Sequence, residues 1–170
     1  MTPWDNRAQE ELALFNPSFC ATLLWCAAEG ATHVENATNL THGPESELLY
    51  LVLPLVLHRV TRDALPRDTR TSLLTWTNSN SLLCLLLAER ARVLVPFTRE
   101  GLNFGGRYSL LRWDRQTVVA NSSFKKKIEG YAKKSTTEVQ DCIRRASFVG
   151  KWFQRTGDAS TVMAILGVRP

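Results

Sequence analysis

Two apolar runs separated by arginines constrain this chain more than any other feature. Leu48–Leu57 (LLYLVLPLVL) is the longest run and Leu82–Ala88 (LLCLLLA) the second. Arg59, Arg62, Arg67 and Arg70 lie in the polar link between them. Leucine loses little rotamer freedom in a helix, whereas strands take β-branched residues, so both runs predict helices. A bilayer-spanning helix needs roughly 20 apolar residues, so neither run predicts a membrane span. The block Leu48–Leu102 therefore supplies both core and basic surface, and the rest of the chain is expected to pack around it.

Pro54 falls inside the first run, and its missing N–H predicts a kink or a break into two short helices. His58 is expected at a helix C-terminus, donating to free carbonyls. Asp68 is a candidate N-cap for a helix carrying Leu73, Leu74 and Trp76 inward. Ser79 or Asn80 would cap the next helix, which presents Leu82, Leu83, Leu86, Leu87 and Leu94 inward and Glu89, Arg90 and Arg92 outward. Pro96 would stop or bend it, and a short helix, Thr98–Phe104, would follow.

The flanks read as further helices. Asp5 can cap a helix with Ala8, Leu12 and Phe15 on one face, and Asn16-Pro17 is an N-cap followed by a first-turn proline. Phe19, Leu23, Cys26 and Ala27 would line that second helix, with Gly30 ending it. The polar stretch from Ala31 to Pro44 reads as a loop. Tyr108–Ala120 switches to a β-branched second arm (Thr117, Val118, Val119) after the polar join Asp114-Arg115-Gln116, which predicts a β-hairpin. Phe124, Ile128 and Tyr131 then mark a helix among lysines. Ser135-x-x-Glu138 matches a capping box opening a helix with Val139, Cys142, Ile143, Ala146 and Phe153 inward. Gly157 ends that helix, and Asp158 and Gly167 bracket a last one. The expected fold is mainly α with one small β-hairpin, a single domain over 1–170. It comprises an N-terminal helical pair and loop (1–44), a winged-helix-like core (45–120) and C-terminal helices (121–170).

Charge is distributed unevenly. From Met1 to Leu48 one basic residue faces seven acidic ones, and from Arg107 to Pro170 thirteen basic residues face five acidic ones. An acidic front and a basic back suit different partners. MTPWDNRAQEE lacks the basic then apolar order of a signal peptide, so a cytoplasmic location is expected. Cys20, Cys26, Cys84 and Cys142 show no CxxC spacing and are expected to be buried thiols. Asn36-Ala37-Thr38 and Asn39-Leu40-Thr41 match the glycosylation sequon, which has no meaning without secretion.

No catalytic constellation is present: HExxH and GxSxG are missing, and Gly150-Lys151 lacks the remainder of a phosphate-binding loop. The expectation is a non-enzyme without cofactor or metal. The loop histidines His33 and His42 have no third ligand beside them. Three features could bind a partner or DNA. Arg59, Arg62, Arg67 and Arg70 could grip phosphates or carboxylates, or could pair internally with Asp63, Asp68 and helix-end carbonyls. Lys125, Lys126 and Lys127 begin a lysine cluster that runs to Lys134; it could contact phosphates, or be a solvated helix face. Arg112, Trp113 and Arg115 sit on the hairpin, although Trp113 also suits a core.

Several strings occur in a fixed order: NPSFC (Asn16–Cys20), LVLPLVLH (Leu51–His58), TRDALP (Thr61–Pro66), TRTSLLTW (Thr69–Trp76), ARVLVPFTREGL (Ala91–Leu102) and LGVRP (Leu166–Pro170). Over nearly its whole length the chain resembles the middle component of bacterial three-component ABC-ATPase systems, such as Lamassu-type defence against phage and plasmids. The resemblance implies a small adaptor between an SMC-like ABC ATPase with a coiled coil and an effector, often a nuclease, with DNA reached through the complex. It brings no catalytic residues. The alternative reading of the residues is a winged-helix DNA-binding regulator.

Overall fold

In a computed structural model, residues 15–32 and 43–168 are described. The expected Asp5-capped helix, His33, His42 and both sequons lie outside them. The described chain forms α1 (Pro17–Thr32), α2 (Ser46–Val56), α3 (Arg59–Ala64), α4 (Leu73–Ser79), α5 (Ser81–Leu85) and α6 (Leu87–Arg107). A hairpin of β1 (Leu111–Asp114) and β2 (Thr117–Ala120) follows, then a 3₁₀ turn (Ser122–Phe124), α7 (Lys125–Lys134), α8 (Thr137–Thr156) and α9 (Ala159–Leu166). None of the described helices is long and apolar enough to cross a membrane.

The helix at the centre is α1 rather than the leucine block. It packs chiefly on α8 and α6, and also on α2 and β2. Its buried residues are largely small: Cys20, Ala21, Cys26, Ala27, Ala28, Gly30 and Ala31. Small side chains let backbones approach closely. A methyl group on Gly150 of α8 would collide with the Ala27 carbonyl oxygen, and one on Gly30 would collide with the Ser147 carbonyl oxygen. Gly30 is therefore not the helix end. It lies inside α1, where it admits α8, and the helix runs on to Thr32. The start of α1 follows the sequence, with the Asn16 side chain accepting from the Ser18 N–H at 2.9 Å.

Leu48–Val56 is buried almost throughout. Pro54 lies inside α2, which runs on through it to Val56. The hairpin is antiparallel, pairing Leu111 with Ala120 and Trp113 with Val118. Arg115 takes a positive φ of 55° in its turn. Glu45 bridges to Thr117, so the entry to α2 runs along β2. Trp113 is half exposed rather than core, because it lies over Gly106 at the end of α6. The three helices before the hairpin do not pack as one triad. The shorter α4 lies against α9 and α8, while α6 lies against α1 and α2.

Several expected helix ends move. Ser72, not Asp68, caps α4, accepting from the Thr75 N–H at 3.1 Å. Asp68 instead accepts from Arg70. Asn80 stands at the start of α5, but its side chain donates back to the Trp76 carbonyl. Pro96 does not interrupt α6, which absorbs the expected Thr98–Phe104 helix. Thr136 caps α8, while Ser135 donates to the Tyr131 carbonyl. Asp158 and Gly167 bracket α9 as expected, Gly167 in the left-handed conformation. All four cysteines are free and buried. Among the expected inward residues, Leu74, Leu82, Leu86 and Tyr131 are exposed.

Trp76 is buried, meets Trp152 edge-on at 5.6 Å and donates to the Ala64 carbonyl at 2.7 Å. Trp76→Ala should therefore cost roughly 3–5 kcal/mol in denaturant unfolding. Gly150→Ala should cost about 3 kcal/mol by forcing α1 and α8 apart. Gly130→Ala should instead stabilise by up to about 1 kcal/mol, since open space surrounds that position in α7. Equal effects at Gly150 and Gly130 would remove the close approach as the constraint.

Candidate functional site: an internal arginine strap and two free surfaces

The arginines of the link do not form one site. Arg62 is 4 % exposed. Its guanidinium donates to the Val56 carbonyl at 2.9 Å, to Cys142 Sγ at 3.2 Å and to Glu138 Oε1 at 2.8 Å. It thus ties the C-terminus of α2 to the first turn of α8. Val56 needs this partner because a helix C-terminus leaves its last carbonyls without intrahelical donors. Burial is the largest influence and opposes the Arg62 charge, but the Glu138 hydrogen bond and the neighbouring charges of Cys142, Glu138 and Asp63 together outweigh it and raise the pKa. The same hydrogen bond lowers the pKa of Glu138. Glu138, expected in a capping box, is used here instead.

The other three arginines are exposed. Arg70 pairs with Asp68 at 2.8 Å and Arg59 lies 3.7 Å from Asp63. Among the described residues Arg67 has no ion pair. Three donors from elsewhere fix the link itself: Trp76 to the Ala64 carbonyl, Arg145 to the Pro66 carbonyl at 2.6 Å and Trp152 to the Thr71 carbonyl at 2.8 Å. Arg62, Arg70 and Arg59 therefore each have an acidic partner within the chain, and of the three only Arg62 is buried.

His58 also differs from its expected role. It is the N-cap of α3, and its ring accepts from the Thr61 N–H. Burial and the nearby Arg90 lower its pKa, which favours the neutral ring that can accept. Arg90, expected outward, donates to the Thr61 hydroxyl at 2.7 Å and to the Leu83 and Leu86 carbonyls at 2.8 and 3.3 Å. One side chain thereby fastens the α5–α6 corner to α3.

That corner carries the first free surface. Leu82, Leu85 and Leu86 are 78 %, 75 % and 55 % exposed. They recur at i, i+3 and i+4, so they form one ridge. Leu83 is only partly buried, and the inward residues here are Cys84 and Leu87. The ridge borders a groove of about 410 Å³ lined by Thr77, Ser81, Cys84, Leu85, Ile165 and Leu166. Polar Asn78, Ser79, Ser81 and Glu89 are exposed around it. An apolar centre with a polar rim has the anatomy of a protein interface. The helical spacing of these leucines was visible in the sequence, but not which side faced water.

The second free surface is basic. Lys125, Lys126 and Lys127 open α7, all exposed. Lys125 reaches Glu29 at 3.4 Å, and Lys127 lies 5.5 Å from the Phe124 ring centre. The hairpin arginines Arg112 and Arg115 are exposed as well. Nucleophilic chemistry finds little support among the thiols, since burial pushes Cys20 and Cys26 up to about 12.

Residues 4–170 match the family model described as ABC-three component (ABC-3C) system Middle Component 3. The chain belongs to that family, whose members are components of multi-component ABC systems. No curated protein and no solved structure matches it.

The strap has a pH signature. Because the Glu138 pKa is lowered in the fold, its contribution is complete above the unfolded glutamate pKa. It is lost as pH falls through the lowered value. Glu138→Gln should lower the denaturant midpoint at pH 7, and the gap from the parent should close in acid. A gap unchanged by pH would show that the charge plays no part. Arg62→Ala should cost about 2–4 kcal/mol at neutral pH, because the Val56 carbonyl loses its donor along with the guanidinium packing.

Proposed function

We propose that the chain is a non-catalytic adaptor in a bacterial three-component ABC defence system of the Lamassu type. In this reading it joins an SMC-like ABC ATPase with a coiled coil to an effector nuclease, in the cytoplasm, and DNA is sensed by the ATPase. Family membership supports a place in an ABC assembly. The observation that carries the adaptor reading is the Leu82–Leu85–Leu86 ridge. Exposed leucines grouped on one helical face lose favourable burial in a free monomer, and each fully buried leucine is worth roughly 1.5–3 kcal/mol. A partner helix lying along the ridge and into the adjoining groove would recover that energy.

The ridge is assigned to the ATPase. The strap and the hydrogen bonds to the 64–72 link support a rigid body that can transmit a partner's movement rather than absorb it. Co-expression with the ATPase and effector of the same system should give a complex of fixed stoichiometry. Leu82→Ser combined with Leu85→Ser should weaken ATPase capture by at least about tenfold, with the thermal midpoint nearly unchanged because both side chains are already in water. Loss of the effector with retention of the ATPase would reassign the ridge. Full retention of both would remove the ridge from the assembly.

A further inference from the structure

We infer that the face formed by the hairpin and the start of α7 binds nucleic-acid backbone directly, without base specificity. Between Arg107 and Lys134 eight basic residues face only Asp114 and Glu129. Among the described residues, Arg107, Arg112, Arg115, Lys126, Lys133 and Lys134 have no ion pair. In the link, by contrast, Arg59, Arg62 and Arg70 each have an acidic partner. Unpaired cations on one segment repel one another, and phosphates relieve that repulsion while releasing counterions.

The arrangement has a shape suited to a strand of phosphates. The end of α6, the outer side of the hairpin and the 3₁₀ turn enclose a cleft of about 510 Å³, lined by Ser109, Arg112, Val119, Asn121 and Ser122. Arg112 enters it from β1, and the lysines of α7 begin three residues beyond Ser122. The walls are held in place. Asn121 donates to the Ser109 carbonyl at 2.9 Å and accepts from the Ser123 N–H at 3.1 Å, while Trp25 donates to the Asn121 carbonyl at 3.0 Å. Tyr108 before the hairpin and Tyr131 on α7 are exposed, and offer ring faces for bases that leave the stack. A membrane is a poorer fit, because the hairpin tip is Asp114-Arg115-Gln116 and has no apolar residue to insert. Of the six unpaired cations, three are lysines that act as point charges on phosphates and three are arginines whose forks match phosphate oxygens.

This inference is independent of the adaptor reading, since it concerns the lone chain. The test is anisotropy of a fluorescein-labelled duplex of about 30 base pairs, titrated with the full chain. Neutralising about five phosphates would give a log–log salt slope near −4.5, so affinity should fall about 500-fold between about 50 and 200 mM salt. The triple variant Arg112→Ala, Arg115→Ala, Lys126→Ala should flatten that slope by about 2.7, at about 0.9 for each phosphate left without its cation. Arg112→Lys, Arg115→Lys, Lys126→Arg should keep the parent slope. Arg67→Ala with Arg92→Ala should leave it unchanged. No binding at the lowest salt, or a parent slope in the alanine variant, would overturn the proposal. Polyglutamate competing as well as DNA would also overturn it, in favour of an acidic protein.

Discussion

The interaction on which the rest of the molecule depends is the backbone-to-backbone approach of α1 and α8. Gly150 faces the Ala27 carbonyl and Gly30 faces the Ser147 carbonyl, with no room for a side-chain atom between them. Such closeness gives many weak dispersion contacts per residue, and no large side chain has to be ordered to obtain it. It also sets where α8 stands, and α8 carries ties to the arginine link. From α8, Glu138 accepts from Arg62 and Trp152 donates to the Thr71 carbonyl.

The arginine link shows how a charged stretch can be turned inward. A buried guanidinium is costly unless its donors are used, and Arg62 uses Nη1 and Nη2, leaving only Nε without a partner. Trp76, Arg145 and Trp152 then satisfy carbonyls along the link that would otherwise need water. What remains outside is an apolar ridge on α5 and a basic face on the hairpin and α7. The two differ in chemistry as well as position. An assembly component with these two faces can hold a protein and a polyanion without the two competing for one surface.

Much of the helical framework was legible because its signals are local. Asn16-Pro17, Asp158 and Gly167 act within one turn, and the hairpin join Asp114-Arg115-Gln116 needs only its own two arms. The leucine block was legible as core where burial is complete, in Leu48–Val56. It misled in α5, since a five-residue helix is too short for periodicity to distinguish an inward stripe from an outward one. Gly30 looked like a helix end because a glycine that stops a helix and a glycine that admits a neighbour are the same residue in one dimension. The partner that decides, Ser147, is far along the chain. Arg62 was legible as charged but not as buried, for its acceptors lie on α2 and α8. Lys126 and the hairpin arginines were legible as candidates, but that they form no ion pair among the described residues is a property of the folded surface.

Arg90 gives the ridge an unusual dependence. A five-residue helix has almost no stability of its own, because nucleation consumes more entropy than so few hydrogen bonds return. The α5–α6 corner is pinned by one guanidinium that reaches Leu83, Leu86 and Thr61. The exposed leucines of the ridge are therefore set by a fastening separate from the α1–α8 stack. Loss of the Arg90 fastening would loosen the corner before it disturbed the stack. The setting of these leucines and the stability of the whole fold then rest on different contacts, and a substitution can alter one while sparing the other.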